Sequence, residues 1–294
     1  MDTLEALSKR IATTEDLEAI VATMKSLSAV SIRAYERAVE ALVAYRRTID
    51  EGLQVLLQRE GAAAVRPEPA GGRTLAVVFG SDHGLCGRFN QELARFVAED
   101  LQRRGLAPSE VVHIVAGLRV ASRLDARGVT IERILTLPGS VEGLTETAQS
   151  LLVAIDAARR ERGVGRVLVH HNRRGDGTTA EPHVTQLLPL DPARLEDLAS
   201  TAWPSRRLPT FTLPPAALLS ALVRQHLFIG LFQAAAESAA SEHATRLTAM
   251  QAAERNIEEH LDEMNAAYRQ RRQAVITEEL LDVVAGFEAL TAES

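Results

Sequence analysis

All eleven prolines of this 294-residue chain fall between Pro67 and Pro215. Outside that stretch glycine is nearly absent: only Gly52 and Gly61 before Val65, and only Gly230 and Gly286 after Ala216. Proline removes a backbone donor and clashes with the preceding turn, and interior glycine costs a helix about 1 kcal/mol. Two long breaker-poor ends around a breaker-rich centre therefore predict terminal helices flanking a globular middle. At about 1.5 Å per residue the second end would run on the order of 115 Å if continuous. No single small domain is that wide.

The apolar pattern agrees. In the first stretch Leu4, Leu7 and Ile11 form one stripe, Leu17, Ile20, Met24 and Leu27 a second, and Tyr35, Leu42, Ile49, Leu53 and Leu56 continue it. Steps of three and four mark an amphipathic helix, with a phase shift near Thr13–Asp16 where Thr14 could also cap a fresh start. Pro214-Pro215 suits the first turn of the last helix. From Leu247 on, two sets with seven-residue spacing run through it: Leu247, Leu261, Tyr268 and Val275, and Met250, Ile257 and Met264. Glu254 and Arg271 interrupt an imperfect coiled-coil seam, whose expected partner is the first helix, antiparallel. Aromatic residues are only 4% of the chain, so Ala, Leu, Ile and Met must supply the packing.

Between the helices the pattern alternates. Leu75–Phe79, Val111–Ala116, Val129–Leu135, Arg166–His171 and His183–Leu190 read as strands. Asn90–Arg104, Leu118–Arg127 and Val141–Arg160 read as helices. Such alternation predicts a Rossmann-like α/β domain with a mostly parallel sheet, its last strand open to either direction at an edge. The expected division is a coiled-coil helix over 1–60, a linker over 61–72, the α/β domain over 73–210 and a coiled-coil helix over 211–294.

Charge and chemistry narrow the functions. With 33 basic and 39 acidic side chains the net charge is −6, which argues against a general nucleic-acid binder. One cysteine, Cys86, excludes an internal disulfide. Asp2, Glu5, Lys9 and Arg10 do not fit a secretory leader, and Arg224, Gln225 and His226 interrupt the most apolar segment, arguing against a membrane span. Gly80, Gly84 and Gly87 follow a strand but form no G-x-G-x-x-G run and no Gly-Lys-Ser/Thr ending, so no nucleotide site is expected. Asp82, His83 and Cys86 crowd one loop without a separate orienting group, a poor arrangement for a thiol nucleophile. Asn90 is expected to cap the helix that follows. His170 and His171 alternate to opposite faces of a strand and cannot easily share a metal. Glu258, Glu259, His260, Asp262 and Glu263 read as the solvated back of a helix, or as an acidic surface facing a basic neighbour. No cofactor, metal or catalytic residue is expected.

Three segments carry a family resemblance. Gly80-Ser-Asp-His-Gly-Leu-Cys-Gly-Arg-Phe-Asn90 resembles the S-D-R-G-L-C-G-G-x-N loop of the γ subunits of F-type ATP synthases. Ser241–Met250 is similar to that family's S-E-H-x-x-R-M-x-A-M, and Tyr268, Arg272–Thr277 and Glu279-Leu280 to its Y-N-x-x-R-Q-A-x-I-T-x-E-L. Arg10-Ile11, Ile20, Met24-Lys25 and Ser28-Ala29 fall in register with the family's N-terminal helix. The chain departs from the pattern at Asp16-Leu17, Ala19, Val21, Ala22 and Ser31, where polar or basic residues are usual, and at His83, Arg88 and Arg269.

The resemblance implies a non-catalytic rotor shaft. Its paired helices would insert into the ring of α and β subunits, and its α/β domain would sit beside ε and the c-ring, with δ a further candidate partner. It implies a peripheral place on the cytoplasmic side of a bacterial plasma membrane, without a direct transmembrane span. It also implies contacts to the ring from Met24, Lys25, Ser28, Arg246, Arg272, Gln273 and Thr277, and to a β-subunit lobe from Ser81, Asp82, His83, Leu85 and Cys86. For the basic residues the plain alternative is solvation or pairing with neighbouring glutamates. The competing readings are a structural antiparallel coiled coil with a hinge domain, and a small Rossmann-like enzyme with helical arms. A tail from Ala274 to Leu290 with apolar residues all round suits an apolar sleeve.

Overall fold

The computed structural model describes residues 3–61, 71–175 and 180–292, with side chains as far as residue 285. Most of the expected linker, and the side chains of Phe287 and Leu290, lie outside the described residues. In order along the chain come α1 (Leu4–Glu60), β1 (Arg73–Phe79), α2 (Phe89–Arg103), β2 (Val111–Ala116), α3 (Leu118–Asp125) and β3 (Arg133–Leu135). Then follow α4 (Val141–Arg162), β4 (Val164–Arg174), β5 (Ala180–Leu188), α5 (Pro192–Ser200) and α6 (Pro215–Ala292). By contacts the chain divides into two compact units, Ser28–Arg246 and Met1–Leu27 with Leu247–Ser294.

The larger unit holds a five-stranded sheet in the order β3-β2-β1-β4-β5. The first four strands are parallel, and β5 runs antiparallel to β4 at the edge. Central β1 is buried on both faces, as a parallel strand between two helix layers must be. Its Leu75, Val77 and Phe79 join Leu151 and Ile155 of α4 and Leu227 and Leu231 of α6 in one core. Val78 points the other way, into a second core with Leu93 and Val97 of α2 and Val120 and Leu124 of α3. Period-two alternation along one strand thus serves two cores. Each fully buried Val, Leu or Phe in them contributes about 1.5–3 kcal/mol relative to exposure.

Within this unit α1 and α6 lie antiparallel. Tyr35 stacks on His243, Tyr45 hydrogen-bonds Gln225 at 2.7 Å, and a third core gathers Ile49, Leu53, Leu56, Leu195, Leu222 and Ile229. A side chain at Gly230 would meet Leu187 at 2.4 Å, so glycine lets α6 press onto β5. By length and composition alone part of α6 is apolar enough to cross a membrane. Its Leu222, Leu227, Ile229, Leu231 and Phe232 are buried in these cores, a little over a quarter of that apolar stretch.

The smaller unit pairs the start of α1 with the far part of α6. Lys25 grips Glu254 through both carboxylate oxygens at 2.6 and 2.7 Å, and Lys9, Thr13 and Thr14 border the same open groove as Ile257, His260 and Met264. Low numbers meet high ones, which is the antiparallel sense expected. Met250 is buried, and Ile257, Leu261, Met264, Tyr268 and Val275 are half-buried among exposed neighbours, as the heptad reading predicts.

Several details differ from the sequence reading. α1 is unbroken through the phase shift, where the hydroxyls of Thr13 and Thr14 donate back to the carbonyls of Lys9 and Arg10 and so cap no fresh start. Ile20 and Leu27 are exposed, and Leu17 only borders the open groove shared with Ile257 and Met264, so the second stripe is not a buried seam. β3 keeps only its last three expected residues. β5 begins at Ala180, not His183, and ends at Leu188. The short helix α5 is additional, capped by Asp191, whose carboxylate accepts from the Ala193 N–H at 3.0 Å, with Pro192 in its first turn.

Candidate functional site

The expected site residues fall into three places. The first is the loop Gly80–Arg88, between β1 and α2. Its base is locked from inside. Asn90 accepts from the Ser81 N–H at 3.0 Å and donates to the Ser81 hydroxyl at 2.7 Å, while that hydroxyl donates to the His83 carbonyl at 2.9 Å. Cys86 is buried beside them, and burial pushes its thiol above the ordinary value, away from nucleophilic use. Asp82 accepts from the N–H groups of Leu118 at 2.8 Å and Leu137 at 2.6 Å, tying the loop to the ends of the neighbouring β2 and β3. Gly117, with φ +120°, is required here: a side chain there would lie 2.7 Å from the Ser81 nitrogen.

Ser81 and Cys86 therefore face inward and Asp82 is engaged, leaving His83 and Leu85 outermost. Leu85 is 61% exposed and holds φ +62°, a left-handed conformation that bulky residues rarely adopt. Asn90 does not cap its own helix: it lies inside α2, whose N-cap Arg88 makes no side-chain capping bond. Its amide is used to close the loop.

The second place is α6 where it passes this loop. Ser238 donates to the Phe79 carbonyl at 2.8 Å, so α6 covers the carboxyl end of β1. That is the crevice between β1 and β4 where the strand order reverses and doubly wound sheets bind ligands. Here the chain's own helix occupies it. Two turns on, the Arg246 Nη2 donates to Glu242 Oε1 at 2.5 Å and to the Gly84 carbonyl at 3.3 Å. Arg246 is only 7% exposed. Burial raises the Glu242 carboxyl above its ordinary value, partly offset by Arg246. Ser28, expected to reach outward, is buried.

The third place is the smaller unit. Met24 is half-buried and Lys25 is bound to Glu254. Arg272, Gln273 and Thr277 are exposed, with the Thr277 hydroxyl folded back on the Gln273 carbonyl at 2.9 Å. Around them Ile276, Leu280, Leu281, Val283 and Val284 are all bare.

His170 and His171 point to opposite faces, as alternation predicts. His170 contacts Asp100 on α2 at 3.0 Å, and His171 contacts Glu237 on α6 at 2.8 Å. Burial lowers His170, favouring a neutral ring that donates from Nε2. Burial alone would raise Asp100, but the hydrogen bonds from His170 and Arg104 outweigh it and hold the carboxyl at about 2. These pairs fasten helices to the sheet. Sequence reasoning missed them, as it missed the Arg246–Glu242–Gly84 cluster, whose only linear trace is the i, i+4 spacing of Glu242 and Arg246.

Comparison with known proteins agrees with this architecture. A family model described as ATP synthase matches residues 3–290. The ATP synthase gamma chain of Anaeromyxobacter dehalogenans (strain 2CP-C) is 32% identical over 302 residues, covering 99% of this chain and 100% of the relative. That of Geotalea uraniireducens (strain Rf4) is 28% identical over 296 residues, covering 99% of each. Among solved structures, a rotor chain of the Euglena gracilis mitochondrial ATP synthase superposes with a TM-score of 0.63 at 16% identity, over 93% of this chain and 98% of that one. A second chain, from the OSCP/F1/c-ring structure of the same enzyme, gives 0.61 at 17% identity, over 98% and 95%. A family match running nearly end to end, with relatives aligned at full length, shows that this chain belongs to the ATP synthase gamma chain family.

Proposed function

We propose that this chain is the central-stalk rotor subunit of an F-type ATP synthase, carrying torque between a membrane c-ring and a catalytic ring of α and β subunits. It is non-catalytic: ATP chemistry belongs to the ring, and this chain turns within it. The observation that carries the reading is the antiparallel pairing of α1 with α6 in both units, ending in a tail whose apolar side chains have no cover. Close-packed helix pairs resist twisting, and bare apolar surface on all sides suits a sleeve that must not grip one orientation too tightly. An asymmetric shaft offers each catalytic subunit different contacts, the only way a partner can bias a conformational equilibrium.

Within this reading Arg272, Gln273 and Thr277 are the polar contacts to the ring, and His83 and Leu85 the contacts of the loop tip. Exposed Leu17, Ile20 and Leu27 add apolar surface on the N-terminal helix. The α/β domain sits toward the c-ring with ε, and the assembly is peripheral on the cytoplasmic side of a bacterial plasma membrane. Purification tests this directly. The tagged full chain should bring down α- and β-type subunits bearing nucleotide-binding motifs, and have no ATP turnover alone. Recovery as a stable monomer with a cofactor of its own would refute the assignment.

A further inference from the structure

The base of the Gly80–Arg88 loop is held by side chains within or beside it, and the Ser81 hydroxyl reaches the His83 carbonyl, but the exposed tip continues through Gly84 to Leu85. The tip is also where the backbone is strained, at Leu85 with φ +62°. A strained and exposed apolar residue persists only where its surroundings over-determine it. One tether comes from α6. The two protons on a single Arg246 nitrogen, Nη2, go to the Glu242 carboxylate and to the carbonyl of Gly84, the residue preceding Leu85. Thr245 lies beside Gly87 on the same turn of the helix. Arg246 is buried, and its guanidinium plane is set by the Glu242 pair and by His243, whose Nδ1 lies 3.4 Å from Nη1.

We infer that Arg246 is a positioning residue for the loop tip: it does not touch the catalytic ring but fixes Gly84, so that Leu85 is presented to a partner in one orientation. Arginine suits this because one planar group can hold a carboxylate and a carbonyl together, whereas a lysine ammonium on a shorter stem cannot fill the same two positions. The inference rests on the rotor reading for what the tip touches, though not for how the tip is held.

Two measurements on the full chain test it. Arg246→Gln leaves Glu242 buried without its cation and is prone to misfold, so Arg246→Lys, which keeps a cation there, is the main variant. In Arg246→Lys, amide exchange across Gly84 to Arg88 should rise on the order of tenfold, as loss of one charge-assisted hydrogen bond implies, with α4 and β4 unchanged. In the assembled complex Arg246→Lys should slow ATP hydrolysis, and this effect should vanish in a Leu85→Ala background, since a residue that acts through another shows no independent cost once that other is gone. Unchanged loop exchange would overturn the inference. So would additive effects of Arg246→Lys and Leu85→Ala, which would mean that Arg246 meets the ring itself. If the unmodified chain forms no complex with α and β subunits, the rotor reading fails, while the exchange measurement still judges the tether.

Discussion

At the scale of single residues, the chain is most exposed to change where backbone or burial leaves no slack. Gly117 combines positive φ with a close approach to Ser81. Gly117→Ala is expected to cost about 1–3 kcal/mol through backbone strain, read as a lower urea midpoint at unchanged slope. Buried imidazoles set an acid limit. Burial pushes His113 down to about 4, partly countered by the Thr130 backbone, and His226 and His243 are also held at about 4, chiefly by burial. An unfolded histidine titrates near 6.5, so below that pH the unfolded chain takes up protons that the folded chain refuses. Stability therefore falls as pH drops from about 6.5 toward 4, with each such histidine contributing at most about 1.4 kcal/mol per pH unit. Melting curves at pH 7.5 and 5 should show a smaller loss for His113→Leu than for the parent; equal losses would show that His113 is not one of the groups responsible.

Elements carry the next level. The Lys25–Glu254 pair joins α1 to α6 with both side chains about two-thirds or more covered. Lys25→Ala should destabilise by about 1 kcal/mol, with a coupling of similar size to Glu254→Ala in a double-mutant cycle. A coupling near zero, with loss of ATP-driven rotation, would instead favour a contact from Lys25 to the ring. The tail predicts a different response, because many weak apolar contacts share its load. Ending the chain after Ile276 should leave the complex assembled and slow hydrolysis by less than about tenfold, or about 1.4 kcal/mol in barrier. Loss of assembly in pull-down would contradict that sharing. Helix existence was legible because breakers are rare there and apolar steps of three and four persist. Facing was not: Ile20 and Leu27 satisfy the helical period yet are exposed, while buried Arg246 and Ser28 give no apolar signal. Period reports that a helix has two sides, and only the partner decides which side is covered.

For the whole molecule, the alternation of strands and helices sufficed to foresee a parallel sheet, since each buried strand must lie between helical layers. The loop's inner wiring escaped notice for a related reason. Asn90 resembles a helix cap locally, but its partners are nine and four residues back in a turn whose course the linear pattern does not specify. The same distance between sequence and space governs how the fold is reached. Lys25 and Glu254 are 229 positions apart, so the first helix leaves the ribosome long before the last one exists. Until α6 is made, Leu53, Leu56 and Tyr35 lack their partners on it, and the nascent chain carries a sticky ridge through most of its synthesis. Pairings closed across so many residues are reached slowly. The need to shield that ridge during biosynthesis is thus set by the order in which the two helices are made.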